Sequence, residues 1–317
     1  MKSPAQFLWS VVLRVWLLFT LYPMAGRASV WVTNTIPVPN GSFESPTTLF
    51  VTTSIDFWQK TDKPPDFDES SGFLWIDETG IFLNTPDGAS DHIINCDGLQ
   101  AIYLFSYPKV GLFQDFDSTG STSTNADREF GTRFEIGKSY QLTVGINAGP
   151  GSQLKDGTTI ELDLYYRDDF TNLVTVVSNT VAHSTTLFPD HIHLHDFAVL
   201  TAPVQATDPW AGKHLGIRLQ STTATNLVGG YWDIDNIRLA SIEPKAPVLS
   251  ITLLNPGLIL SFNSSPDCQY QLQISQDLIA WANSGGTVAT SESSISIPIA
   301  TIGTNRGFYR VLVFPKN

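Results

Sequence analysis

Tyr231-Trp232-Asp233-Ile234-Asp235-Asn236-Ile237-Arg238-Leu239 is the stretch on which the fold turns. Its polar and apolar residues alternate, the mark of a β-strand with one face turned inward. On this reading Asp235 shares the inward face with Ile237 and Leu239. A carboxylate buried there needs backbone donors, a charged partner or a metal. The same period of two recurs along the chain, in Tyr140, Leu142, Val144 and Ile146, in Ile160, Leu162, Leu164 and Tyr166, and in Leu215, Ile217 and Leu219. Clusters such as Asn147-Ala148-Gly149-Pro150-Gly151 punctuate these runs as turns. No segment carries a capped helical stripe. The chain is therefore expected to be all-β, a jelly-roll β-sandwich followed by a second, smaller sandwich.

Composition narrows the class. The 317 residues include 18 Lys and Arg against 30 Asp and Glu, and only 15% are charged. Lys2 precedes an apolar run from Phe7 to Leu21, and Gly26-Arg27-Ala28 offers small residues for cleavage, the pattern of a secretory signal peptide over residues 1–28. Arg14 interrupts the run as a membrane span. Cleavage after Ala28 would leave 15 basic against 30 acidic residues, a formal charge of −15. Such a surface repels phosphate backbones and anionic lipids, which excludes nucleic acid as the main partner and leaves no membrane contact after cleavage. The expected localisation is secreted, periplasmic or extracellular. Cys96 and Cys268 are the only cysteines, and they are read as free thiols in different domains.

Glu243-Pro244-Lys245-Ala246-Pro247 reads as a short stiff linker, because proline fixes the backbone and interrupts pairing. The pattern restarts after it, with Leu249, Ile251 and Leu253, then Leu258, Leu260 and Phe262, then Tyr270, Leu272 and Ile274. The expected organisation is a first domain over 29–243, a linker over 244–247 and a small immunoglobulin-like or fibronectin-like β-sandwich over 248–317.

Asn40-Gly41-Ser42-Phe43-Glu44 near the start and the Trp232–Ile237 phrase near the end, with Gly98–Leu104, Gly111–Phe116, Gly137–Leu142 and Gly212–Leu219 in order between them, resemble the galactose-binding-like jelly rolls that include many carbohydrate-binding modules. The resemblance covers residues 36–241. It implies that the opening and closing strands lie close together, with a structural calcium near them. The acid of the opening motif and an aspartate of the closing strand help bind that calcium in the relatives, and Glu44 and Asp235 match those positions. Tyr270–Ser275, Leu278, Trp281 and Phe308–Val311 resemble a C-terminal module of secreted bacterial proteins, notably from Verrucomicrobia.

The resemblance implies noncatalytic recognition of an extracellular glycan or polysaccharide. Sugars stack their C–H faces on aromatic rings and bond through nearby polar groups. Trp75, Tyr107, Tyr165 and Trp210 lie near turns or on polar strand faces, and Tyr165 shares its face with Asp163 and Arg167. The alternatives are a structural or adhesion protein that meets a cell-surface protein, and a polysaccharide hydrolase or lyase. No GxSxG, HExxH or P-loop occurs, and nothing selects a catalytic pair among the acids. Two weaker metal patterns remain. Asp115–Asp127 half-resembles a calcium loop. His191, His193 and His195 would share one face of a strand, a geometry suited to zinc or copper, but three side chains in a row along a strand span too far for one tight site, and a solvated strand face is the favoured reading.

Overall fold

The longest strand organises the molecule. In the computed structural model, which describes residues 31–70, 72–116, 130–149, 151–254, 257–266, 268–299 and 307–315, the closing phrase opens a strand of 14 residues. The leader and residues 117–127 of the Asp115–Asp127 loop lie outside the described residues. The first part of the chain contains β1 (Trp31–Ile36), β2 (Val51–Thr52), β3 (Gln59–Lys60), β4 (Thr79–Leu83), β5 (Gln100–Phe105), β6 (Gly111–Gln114), β7 (Ser139–Asn147), β8 (Thr159–Arg167), β9 (Leu173–Ala182), β10 (His195–Leu200), β11 (Gly216–Ser221) and β12 (Tyr231–Pro244). Among the described residues there is no α-helix, only short 3-10 turns such as Trp75–Asp77.

Two antiparallel sheets pack face to face. One runs β10-β7-β12-β5-β4-β2, with β1 paired to β12. The other runs β3-β6-β11-β8-β9. Cross-strand partners point to the same side of a sheet, so register identifies the core. Ile81, Ile102, Ile234 and Ile146 form one row across β4, β5, β12 and β7. Leu112, Leu219 and Leu162 form the facing row across β6, β11 and β8. All seven are buried without exposure in one apolar cluster that also holds Trp232, Phe43 and Phe134. Completely burying side chains of this kind contributes roughly 1.5–3 kcal/mol each. This is the all-β sandwich that the alternation predicts.

β12 serves two neighbours in succession on one edge. Its first four residues pair with β5, and Leu239–Pro244 pair with β1. Between them the register against β7 shifts, from Asp235 to Arg238, and Asn236 takes φ 57°. The opening motif fills this gap. The Ile237 N–H donates to the Gly41 carbonyl at 2.8 Å, and a Cβ on Gly41 would stand 2.7 Å from the Ile237 carbonyl. The opening and closing phrases therefore meet, as the resemblance implies.

The irregularity corrects one expectation. Trp232 and Ile234 face the core before it, and Ile237 and Leu239 face the core after it, so the inward parity flips. Asp235 pairs with Gly145, whose neighbours Val144 and Ile146 are core residues. Asp235 therefore points to the outer side of the sheet, together with Asp233. It is buried because a loop covers it.

The remaining strands, β13 (Leu249–Leu254), β14 (Gly257–Asn263), β15 (Cys268–Ser275), β16 (Ala282–Asn283), β17 (Val288–Ala289), β18 (Ser294–Ile299) and β19 (Phe308–Pro315), make a three-stranded and a four-stranded sheet. They enclose small apolar clusters around Phe262 and Tyr270 and around Leu260 and Leu272, and Trp31 of β1 packs against the first.

Candidate functional site

Register places a polar row on the outer face of the first sheet. Gly80, Tyr103, Asp233 and Asn147 are successive cross-strand partners on β4, β5, β12 and β7. Each sits one position from the isoleucine row, so the row faces away from the core. Gly80 has no side chain, and the Tyr103 ring lies over it: a Cβ there would stand 2.8 Å from the Tyr103 hydroxyl. That hydroxyl donates to the Asp77 carbonyl at 3.2 Å. Burial first, and the nearby Asp77 next, push the Tyr103 pKa up to about 12.

A cavity of about 720 Å³ stands over this row. Phe50, Val51, Phe82, Leu83 and Ile93 line one part of it. Tyr103 and Tyr231 line another, with the two rings edge to face at 5.8 Å. Gly149, Gly151, Ser152 and His191 close the opposite side. The two loops on that side are clamped together. The buried Asn147 amide donates to the His191 carbonyl at 2.6 Å and accepts from the Gly149 N–H at 3.1 Å. A Cβ on Gly149 would stand 1.8 Å from the Asp190 carbonyl oxygen.

Asp233 lies on the floor of this cavity. No described side chain or backbone group bonds its carboxyl. Burial, unrelieved by any partner, raises its pKa to about 7. A carboxyl set among aromatic and aliphatic groups, protonated near neutral pH, is a competent proton donor.

Asp235, two residues on, is held differently. Its Oδ2 accepts from the Asp97 N–H at 2.6 Å and from the Cys96 thiol at 3.1 Å, while Oδ1 is buried without a partner. Burial dominates and raises its pKa to about 7. Glu44 reaches the same loop, where its Oε1 accepts from the Leu99 and Gln100 N–H groups at 2.9 and 2.8 Å. The structure thus brings Glu44 and Asp235 together around residues 96–100. Among the described residues no three His, Cys, Asp or Glu side chains gather as a metal cluster. Cys96 and Cys268 are not joined in a disulfide.

The aromatic candidates lie away from this cavity. Trp75 is buried, donates to the Thr61 carbonyl at 2.7 Å, and forms an edge-to-face trio with Phe67 and Tyr107 against the core. Trp210 is partly buried against the same core. Tyr165 is fully buried beside Gly216, and its hydroxyl donates to Asp115 at 2.6 Å. Arg167 donates to the same carboxylate at 2.8 Å. Asp163, Tyr165 and Arg167 share one face, as the alternation says, but Arg218 holds Asp163 and Asp115 holds the other two. The trio is part of an ion-pair ladder, beside a cavity of about 200 Å³.

The histidines do not share a strand face. β10 begins only at His195, and residues 191–194 form an irregular loop. His191 Nε2 meets the Ser90 carbonyl at 2.9 Å, His193 pairs with Asp190, and His195 packs edge to face on Phe188. A three-histidine metal face is therefore ruled out by the backbone.

Sequence reasoning did not select Asp233, Asn147, Tyr103 or Tyr231. The available signal was the alternation of Tyr231 and Asp233 against Trp232 and Ile234, which sets a carboxyl and a phenol on the face opposite the core.

The HpiC1-like family, described as HpiC1 cyclase, matches residues 34–240. Among solved structures, a cyclase from Fischerella sp. TAU is 19% identical, with a TM-score of 0.46 over 68% of this chain and 99% of its own. A Stig cyclase from the same source, bound to (3Z)-3-(1-methyl-2-pyrrolidinylidene)-3H-indole, is 19% identical, with a TM-score of 0.46 over 68% and 100%. A tandem CBM22 domain from Paenibacillus barcinonensis Xyn10C is 8% identical, with a TM-score of 0.33 over 87% and 83%. No curated protein matches. TM-scores below 0.5 decide neither substrate nor chemistry. The family match does overturn the expectation of a noncatalytic glycan-binding protein, and with it the adhesion and polysaccharide-cleaving alternatives, because the matched region is the whole first sandwich and its family is named for a cyclase. Across 34–240, from the first strand to the last of that sandwich, the chain belongs to the HpiC1-like family.

Proposed function

We propose that this protein catalyses an acid-initiated ring closure on an apolar, aromatic small molecule held on the outer face of the first sheet, with Asp233 as the proton donor. The observation that carries this reading is the unpartnered Asp233 carboxyl on the floor of a mainly apolar cavity. Protonation of an electron-rich double bond creates a carbocation, which a tethered nucleophile captures to form the ring. The Tyr103 and Tyr231 rings offer electron-rich surfaces to that cation, beside the apolar wall of Phe50, Val51, Phe82, Leu83 and Ile93. The family supports a ring-forming reaction. In deuterium oxide, aryl alkenes with a tethered nucleophile should yield isomers carrying one added deuterium. Asp233→Ala should abolish this product, and an undiminished yield from that variant would overturn the assignment.

The Glu44 and Asp235 pair fits a structural calcium. The buried, unpartnered Asp235 Oδ1 supplies an oxygen facing the loop that Glu44 also grips, and backbone carbonyls would complete the hard-oxygen set that calcium prefers. The separate immunoglobulin-like domain over 248–317 and export through the leader stand with it as proposals.

A further inference from the structure

A ring closure that begins with proton gain ends with proton loss, and the two need not occur on the same carbon or the same face of the substrate. A single carboxyl fixed on the cavity floor serves the first. The second calls for a base mounted elsewhere in the same cavity.

His191 occupies such a place. It lines the wall opposite the apolar one. Its Nε2 lies 2.9 Å from the Ser90 carbonyl; a carbonyl only accepts, so Nε2 carries the hydrogen and Nδ1 carries the lone pair. Nδ1 has no partner among the described residues, and the His191 side chain belongs to a partly exposed residue. The loop around it is tied on both sides. Asn147 holds the His191 carbonyl, Asp190 accepts from the Ile192 and His193 N–H groups at 3.1 Å each, and Asn95 bonds both backbone groups of Leu194. A loop residue fastened at so many points keeps one orientation. The other acids on the cavity wall, Asp77 and Asp91, are exposed at the rim, where water solvates them. A neutral imidazole needs no such solvation to enter an apolar site.

We infer that His191 Nδ1 is the base that removes the proton from the closed ring. The inference rests on the cyclase reading above. The Asp233 O–H bond breaks as the substrate π pair forms a C–H bond. The nucleophile's pair then forms the new ring bond. The C–H bond at the nucleophilic carbon breaks onto Nδ1, and its pair restores the π system. Solvent returns the proton from the imidazolium to the Asp233 carboxylate, and the net reaction is an isomerisation.

Exchange of the C3 hydrogen of 2-methylindole in deuterium oxide, followed by proton NMR, isolates the two proton transfers. C3 gains a deuteron from Asp233 and loses its hydrogen to the base. His191→Gln keeps an N–H donor for Ser90 and should slow exchange by about 100-fold. His191→Gly should be equally slow and should regain exchange on adding imidazole. Exchange at the wild-type rate in His191→Gln, with Asp233→Asn inactive, would overturn the base and leave the cyclase reading standing. Slow exchange that imidazole fails to restore also overturns it, as loop damage alone. Wild-type protein that exchanges no faster than buffer would overturn both.

Discussion

Asp233 and Asp235 face the same side of one strand, yet the first looks into a cavity and the second is sealed under residues 96–100. Their hydrogen bonds record the difference, none at Asp233 and two at one oxygen of Asp235. For Asp233 the folded pKa of about 7 lies above the unfolded value near 3.9. Between those values the folded state holds more protons, so this residue's contribution falls as pH rises from about 4 to about 7. Asp233→Asn cannot ionise. Thermal unfolding should show it close to wild type at pH 4 and more stable by roughly 2–4 kcal/mol at pH 8; equal curves at both pH values would contradict the burial of this carboxyl. Tyr165→Phe addresses the opposite face. It removes the bond to Asp115 and should cost about 1–2 kcal/mol of stability without changing turnover. The sequence made both carboxylates visible, but it did not distinguish them. Alternation assigns a face only while the strand is regular, and the shift at Asp235–Arg238 breaks it.

At the level of elements, the strands were legible because each apolar row repeats every second residue, as in Tyr140–Ile146 and Ile160–Tyr166. Loops were not, since their shape depends on distant partners. The three histidines show this: the spacing suits a strand, but Asn95, Ser90 and Asp190 hold residues 190–194 in a loop. Gly149 is the tightest point of that arrangement. Gly149→Ala would drive a methyl group into the Asp190 carbonyl, and it should cost more than about 2 kcal/mol, with faster hydrogen exchange across 148–152 and 190–194. Unchanged exchange there would mean that the two loops are not mechanically joined.

For the whole molecule, pattern conveyed the all-β architecture and the family resemblance conveyed the meeting of the two phrases, while the cyclase reading came only with the family match. A cavity assembled from five strands and the loops between them leaves no contiguous motif to read. Two measurements belong at this scale. Chelation should lower the melting temperature if Glu44 and Asp235 share a calcium, and an unchanged melting curve would dismiss the ion. Removal of residues 248–317 should leave deuterium-labelled product formation intact while exposing Trp31; loss of turnover would show that the second sandwich shapes the site.

The pairing of β1 with the far end of β12 also sets a timetable. Trp31 meets Pro244 and Ile36 meets Leu239, so β1 waits for the last strand of its sandwich to be synthesised. At roughly 5–20 residues per second on the ribosome, that delay is on the order of 10–40 s. Throughout it, the edge of β1 is open to any passing strand, and whatever shields the nascent chain during those seconds decides how much of it reaches the closed sheet.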